Sequence, residues 1–300
     1  MERLRRLIQI GFVPVFALGF GGLAVAGISA GWGWPPLIVL VLAAIATSYA
    51  AEGALPYREA WNESRGDAGR DVLHAIVNEG SAVASVGLLP ALAVVLDGLA
   101  LAPWPADWPF AVQVVAAILV FDLGVTFAHY ASHRLEILWR FHAVHHSVER
   151  MYGLNGLMKH PVHQAIEMTA GIAPLLLFGL PLGVAKALAV CTALQLLLQH
   201  SNVDYRLGPF RRVLALAEIH RFHHRGEPGL GDVNFGLFTT LGDRVLGTAF
   251  DDPAAPRLES RDLGIHAEPD YPVPWAAQMV EPFRARDGRV AEDTSLGTPS

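Results

Sequence analysis

The chain has one cysteine, Cys191, and two lysines, Lys159 and Lys186, in 300 residues. A single thiol inside an apolar run excludes an intramolecular disulfide framework and any metal site built from several thiolates, and reads as a small core residue. Charge is scarce too. Asp, Glu, Lys and Arg together make 17% of the chain against 52% hydrophobic residues, and the mean hydropathy is +0.36. That balance is a membrane protein's rather than a soluble domain's. The net charge of -6 is mild and sits mostly beyond Phe250, so no basic surface for nucleic acid is expected. A phosphate-binding glycine loop, a flavin fingerprint, a His-Pro-Gly-Gly haem motif and an iron–sulfur cysteine set are all missing. Basic charge is almost wholly arginine, and Ala, Gly and Leu are plentiful, a bias compatible with a GC-rich bacterial genome.

Hydropathy organises what is there. Arg3, Arg5 and Arg6 precede an apolar run from Ile8 to about Ile28. A signal peptide starts in the same way, but this run matches the ~20 residues that cross a bilayer, so an uncleaved anchor is expected. Trp32, Trp34, Pro35 and Pro36 mark an interfacial turn, and Leu37 to about Ala51 returns. The 52–79 stretch is polar and ends in RDVLHAIVNEG, read as an amphipathic segment at the surface, where His74 is an ordinary interfacial residue or a metal ligand. A second hairpin is expected from Ala82 to Leu101 and Phe110 to about Phe127, joined by prolines and tryptophans. The apolar stretch from Ile166 to Leu198 is broken at 179–183, which suits two short spans or a re-entrant pair, the former preferred.

The loops 30–36, 102–109 and 179–183 carry no Arg or Lys, whereas the N-terminus and the 52–79, 130–163 and C-terminal segments hold nearly all of them. The positive-inside rule therefore puts both termini and every histidine cluster on the cytoplasmic side, in a bacterial inner membrane. The expected fold is all-α: an integral membrane helical bundle of four to six segments arranged as hairpins, with a cytoplasmic helical cap carrying the histidines. The expected divisions are N-terminal membrane hairpins over 1–109, including the cytoplasmic polar loop 52–79, a catalytic unit over 110–250, and a polar, irregular tail over 251–300.

Eleven of the 13 histidines fall between His129 and His224. His129 and His133 are four apart; His142, His145 and His146 form H-x-x-H-H; His220, His223 and His224 repeat it. Residues three and four apart share a helical face, so each cluster aims at least two imidazoles one way. A lone histidine is usually a hydrogen-bonded core residue. Burying so many unpartnered rings would cost several kcal/mol each on rough transfer scales, and a shared metal site removes that cost. The number of rings suggests two metals. Imidazole suits zinc, copper, iron and nickel alike, and the H-x3-H pair has no glutamate inside it, which disfavours metalloprotease hydrolysis.

HYASHRLEILWRFHAVHHS, HSNVDYRLGP, and HRFHH with DVNFGLFTTLGDRVLGT resemble, block by block, the fatty acid hydroxylase superfamily, which includes the sterol desaturases, C4-methyl sterol oxidases and alkylglycerol monooxygenase. The resemblance covers roughly Asp122 to Thr248. It implies a non-haem di-iron oxidoreductase, a monooxygenase that uses O2 to hydroxylate or desaturate an unactivated C–H bond of a lipid of fatty-acyl or sterol type. Carried over position by position, the metal ligands would be His129, His133, His142, His145, His146, His220, His223 and His224, with His200 as a ninth. Some relatives have a further histidine where this chain has Asp204, which leaves that residue open as a ligand, a support behind one, or a turn residue. His163 stands where relatives commonly have glutamate, which leaves it open as an altered ligand, a support behind one, or a neutral helix-start residue, and it and His160 stay outside the strongest set. Asp122, seven residues before His129, would steady a ligand imidazole or pair with Arg134 or Arg244.

Physical reasoning is compatible with this assignment. A strongly oxidising centre needs ligands that resist oxidation, and clusters at the ends of apolar helices let a lipid stay in an apolar tunnel, lined by Leu123, Phe127 and the 166–198 spans. Asn155, Asn234 and the Asp243–Arg244 pair would fix loops over it. Electrons must come from outside, from a separate ferredoxin or b-type cytochrome with its reductase. The alternatives are a carotenoid hydroxylase of the same chemistry, a membrane zinc hydrolase, and a metal-binding transporter, the last disfavoured because ionisable residues gather at one face.

Overall fold

A computed structural model describes residues 2–96 and 103–284. The end of the expected 82–101 span, the start of the 102–109 turn and residues 285–300 of the tail lie outside the described residues. The chain is all-α: no strand occurs among the described residues, only isolated bridges such as Pro56 with Val203. The helices are α1 (Glu2–Phe16), continuing through a π-helical turn into α2 (Gly22–Ser29), α3 (Trp34–Ala54), α4 (Ala68–Leu96), α5 (Phe110–Arg134), α6 (Glu136–His146), α7 (Pro161–Leu177), α8 (Leu182–His200), and the short α9 (Ala217–His220), α10 (Leu241–Leu246) and α11 (Trp275–Val280). Proline starts most of the long ones. Pro35 and Pro36 open α3 and Pro161 opens α7, where a missing N–H costs nothing, and Pro109 and Pro181 stand just before α5 and α8.

Five helical stretches are long and apolar enough to cross a membrane: Glu2–Ser29, Trp34–Ala54, Ala68–Leu92, Phe110–Arg134 and Leu182–His200. This is a multi-pass membrane protein. With the shorter α7 between α5 and α8, the segments alternate in direction. Phe110 and Ile28 close round Gly183 at one end, where Lys186 Nζ lies 6.0 Å from the Trp34 ring. At the other end Asp204 ties the chain together, its carboxylate accepting from Gln9 Nε2 at 2.9 Å and its amide donating to Leu55 O at 2.8 Å. All the histidine clusters are at this second end. The α5–α7 pair approaches closely because both faces are small: a Cβ on Gly124 would lie 2.2 Å from Ala170 O.

Two expectations change. RDVLHAIVNEG is not a separate surface helix but the first turns of α4, because Asp71, His74 and Asn78 are buried and paired with other elements. Asn78 Nδ2, for instance, donates to Leu157 O at 2.8 Å and Lys159 O at 3.0 Å. Residues 251–284 are not a loose tail either. Leu258 and Leu263 bury with Trp61 and Met151, and Gln278, fully buried on α11, bonds His74 Nε2 at 2.9 Å and donates to Ser147 Oγ at 3.1 Å. Apolar residues spaced among prolines and charges are enough to anchor this segment, though they form no helical period.

Candidate metal centre

Helix α5 ends with His129 and His133 one turn apart, and Leu135, in an extended conformation, is at once its C-cap and the N-cap of α6. That corner brings His142, His145 and His146 back over α5. HRFHH starts at His220, the last residue of the single turn of α9, and His200 closes α8. The nine histidines expected as ligands then fall into two groups, each with ring nitrogens within 4.8 Å of one another: His129, His133, His142, His146 and His223 in one, His145, His200, His220 and His224 in the other. Each H-x-x-H-H motif is divided. Its i,i+4 pair goes to one group and the histidine between them goes to the other.

The donor nitrogens converge. His146 Nε2 faces His142 Nε2 at 2.9 Å, His223 Nε2 at 3.0 Å and His133 Nε2 at 3.1 Å, and His129 Nε2 lies 2.9 Å from His142 Nε2. In the second group His224 Nε2 lies 3.0 Å from His200 Nε2 and 3.2 Å from His220 Nε2. A proton on His146 Nε2 could bridge only one of its three neighbours, and without that proton its lone pair is crowded against theirs. A cation resolves this. Two nitrogens about 2.1 Å from one metal and at right angles lie about 3.0 Å apart.

The opposite ring nitrogens are held. His129 Nδ1 donates to Phe235 O at 2.8 Å, His223 Nδ1 to Val233 O at 2.9 Å, His145 Nδ1 to Met158 O at 2.7 Å and His133 Nδ1 to Asp232 Oδ1 at 3.0 Å. With the proton on Nδ1, each Nε2 presents a lone pair to the centre. Burial, followed by neighbouring imidazoles, holds His142, His146, His220 and His224 well below ordinary histidine basicity; burial also dominates at His145 and His223. They are neutral, the form a metal needs. The clusters fit a metal site.

The collar round the first group is segment 232–239. Five successive amides in it are taken by two carboxylates: Phe235 N and Gly236 N donate to Asp243 at 2.7 and 2.9 Å, and Leu237 N, Phe238 N and Thr239 N to Asp122 at 3.0, 2.7 and 3.0 Å. Asp122 thus bonds neither an imidazole nor Arg134 or Arg244; it acts on His129 through the loop that carries Phe235 O. Asn234, at φ +56°, ties the same loop to Ile219 O and Phe250.

His163 lies in neither group. Its ring rests 4.3 Å from that of His142, its Nε2 meets Ser132 Oγ at 3.1 Å, and its Nδ1 is 3.7 Å from Glu167 Oε2. Asp204 is away from both groups, held by Gln9 and by Arg257 Nη1 at 3.1 Å, because the backbone of its segment bonds Leu55 O and Gln9 O. His74 is satisfied by Lys159 O and Gln278, and His160 caps α7. Sequence reading missed Asp232, which also takes Arg134 Nη1 at 3.0 Å, and the buried Lys159–Glu167 pair. Asp232 opens the DVNFG block, its only signal; Lys159, one of two lysines and beside a histidine–proline pair, was the signal for the other.

An apolar cavity of about 210 Å³ runs between α4, α7 and α8, with Phe121 as the contribution of α5. Leu123 and Phe127 do not line it. Phe127 turns outward, 45% exposed, since the cavity lies on the face of α5 that carries Phe121.

Two adjacent all-imidazole donor groups, at one end of a bundle of apolar helices, define a membrane protein with a candidate metal centre. Residues 114–248 match the family described as fatty acid hydroxylase. The chain is similar to ornithine lipid hydroxylase OlsE of Rhizobium tropici, 33% identical over 258 residues, 84% of this chain and 76% of that protein. It is also similar to alkylglycerol monooxygenase of Danio rerio, 32% identical over 149 residues, 49% of this chain and 31% of that one. Methylsterol monooxygenase 1 of Gallus gallus is 26% identical over 138 residues, 45% of each chain. No solved structure matches. The chain belongs to the fatty acid hydroxylase family and is an oxidoreductase of the hydroxylase type.

Proposed function

We propose that the two histidine groups hold two iron ions and that the chain uses O2 to hydroxylate, or desaturate, a C–H bond of a membrane lipid. The observation that carries this reading is the pair of abutting nitrogen-only donor sets, five and four imidazoles, with His146 and His224 rings 4.7 Å apart. When bound, the iron pair supplies O2 activation and hydrogen abstraction, chemistry that no side chain offers. The protein supplies the rest. Asp232 and the carbonyls of Val233, Phe235 and Met158 keep four Nε2 lone pairs aimed inward. Ser132 and His163 pack behind His142, and Phe235 walls off the first group from solvent, itself fully buried. Relatives that hydroxylate ornithine lipid or oxidise alkylglycerols and methylsterols support a lipid as substrate.

Residues 110–250 are the unit that carries the chemistry in this reading, in a bacterial inner membrane, and the distribution of arginine supports a site on its cytoplasmic side. Electrons come from a separate ferredoxin or b-type cytochrome with its reductase. Metal analysis of anaerobically purified protein tests the proposal: two irons per chain, with a lipid product that needs both O2 and reductant, is expected. Product formed without O2 overturns it. Comparing lipid extracts of a deletion strain and its parent for a missing hydroxyl or double bond identifies the substrate.

A further inference from the structure

Glu52, in the last turn of α3, is 2% exposed, and no salt bridge joins it to any described residue. Its Oε1 is spent on backbone instead. Gly153 N donates to it at 2.7 Å and Asn202 N at 3.1 Å, with Ser48 Oγ, one turn earlier on α3, at 3.4 Å. Asp122 and Asp243 hold the collar of the five-histidine group in the same way, by charge-assisted bonds from successive amides.

Both amides that Glu52 takes belong to the frame of the other group. Asn202 stands two residues past His200, where the chain leaves α8. Gly153 opens the 153–157 turn, whose Gly156 faces His200 so closely that a Cβ there would lie 2.8 Å from His200 Nδ1. That turn runs on into Met158, whose carbonyl holds His145 Nδ1 at 2.7 Å. Gly153 itself leaves no slack: a Cβ on it would lie 2.6 Å from Ser48 Oγ and 3.0 Å from Leu197 O.

The same joint reaches a third ring. Arg221, the neighbour of His220, donates from Nη2 to Ser201 O at 2.6 Å and to Val203 O at 3.2 Å, the residues on either side of Asn202. The Asn202 side chain locks the joint from outside. It accepts from Arg58 N at 3.0 Å and donates to Arg58 O at 2.9 Å and Asn62 Oδ1 at 2.7 Å, while Asn62 Nδ2 donates to Glu52 O at 2.9 Å. Imidazoles of the five-histidine group take their support elsewhere: His133 from Asp232, His129 and His223 from the carbonyls of the collar.

We infer that Glu52 is a positioning residue for the four-histidine group, so that α3, outside the residues 114–248 that match the family, is part of the metal centre. The inference rests on the proposed loading of two metals and adds that one of the two sites is completed by the N-terminal helices. Removing the acceptor frees Gly153 and Asn202 to move apart and loosens His200 and His145, while the five-histidine group keeps its geometry.

Titrating metal-free, full-length protein in detergent with Co2+ under anaerobic conditions tests this, with bound equivalents counted by native mass spectrometry and each site followed by its visible absorption. The wild type is expected to take two equivalents. Glu52→Leu should weaken one of them about 10- to 100-fold, the one that His145→Ala also weakens, and leave the other unchanged. Glu52→Gln, which keeps an oxygen for both amides, should bind both as the wild type does, and Glu52→Asp, one methylene shorter, should weaken the same equivalent by less. A residue that only stabilised the fold would lower both affinities together. Equal loss at the two sites therefore overturns the assignment, as does wild-type binding in Glu52→Leu or, should that variant fail to fold, in Glu52→Asp. A wild type that takes a single equivalent overturns the two-metal reading and the positioning role with it, whereas two equivalents without selective loss in the variants overturn the positioning role alone.

Discussion

The imidazoles of His146 and His224 lie stacked, ring centroids 4.7 Å apart and planes 24° apart, yet they belong to different donor groups. Each comes from an H-x-x-H-H motif, and each motif serves both groups. In α6 the i+3 residue, His145, sits about 100° round the axis from its neighbour His146 and reaches the second group, and the turn after α9 divides His223 from His220 and His224 in the same way. Two such motifs placed face to face therefore interleave, and neither group exists without both.

This interleaving sets the pattern of metal loss. His129→Ala and His223→Ala are expected to fail alike, each losing metal and turnover while the protein still inserts into the membrane. Combining them should cost no more metal than the worse single, since both remove donors from one group. His129→Ala with His220→Ala strikes both groups and should leave almost none. The metal-to-protein ratio of purified membranes checks this, and wild-type metal with wild-type turnover in either single variant would falsify the shared site.

Asp232 tests the support behind the ligands. Its carboxylate accepts from His133 Nδ1 at 3.0 Å and from Arg134 Nη1 at 3.0 Å. Asp232→Ala frees the His133 ring to rotate and to change tautomer, and a loss of about 10- to 100-fold in metal affinity is expected. Competition with a chelator measures it. An unchanged affinity means that the ring is held by packing against Trp139 and Phe235 instead.

Which parts of this were legible in the sequence follows from what kind of partner each residue uses. The hairpins and the all-α class came from hydropathy, because spans must satisfy their own backbone. The nine histidines came from spacing and from the block resemblance. Their division into five and four did not, because it depends on how α6 and the α9 turn face each other. Asp122 was singled out as an intramembrane carboxylate, but its partners are the amides of Leu237, Phe238 and Thr239, and a backbone amide has no sequence signature. The same holds for the carbonyls of Phe235, Val233 and Met158. That Leu123 and Phe127 lie outside the cavity between α4, α7 and α8 was not legible, because an apolar residue on a membrane helix faces lipid or cavity with equal ease.

Gly156 shows how tightly His200 is placed. A Cβ there would lie 2.2 Å from Leu196 O and 2.8 Å from His200 Nδ1, so backbone must move. Gly156→Ala should push the 153–157 turn off α8 and displace His200 from the group of four. Metal bound by that group should fall while the five-histidine group keeps its own, a half-loaded protein visible as a halved metal ratio. Full loading would mean that α8 shifts with its histidine.

The Lys159–Glu167 pair separates a structural role from the cost of a stranded charge. Glu167 has no exposed side-chain surface and Lys159 has 10%, and the pair stands between the cavity and His163. Removing one partner leaves the other charged and buried without compensation, a penalty of about 3–5 kcal/mol, while replacing both with apolar side chains of similar volume is often close to neutral. Lys159→Met and Glu167→Leu are therefore each expected to lower thermal stability in detergent strongly, and the double variant to recover much of the loss. The coupling in that double-mutant cycle should exceed ~1 kcal/mol. Strict additivity would show that the two side chains act through separate contacts, Glu167 through His163 and Lys159 through the cavity wall.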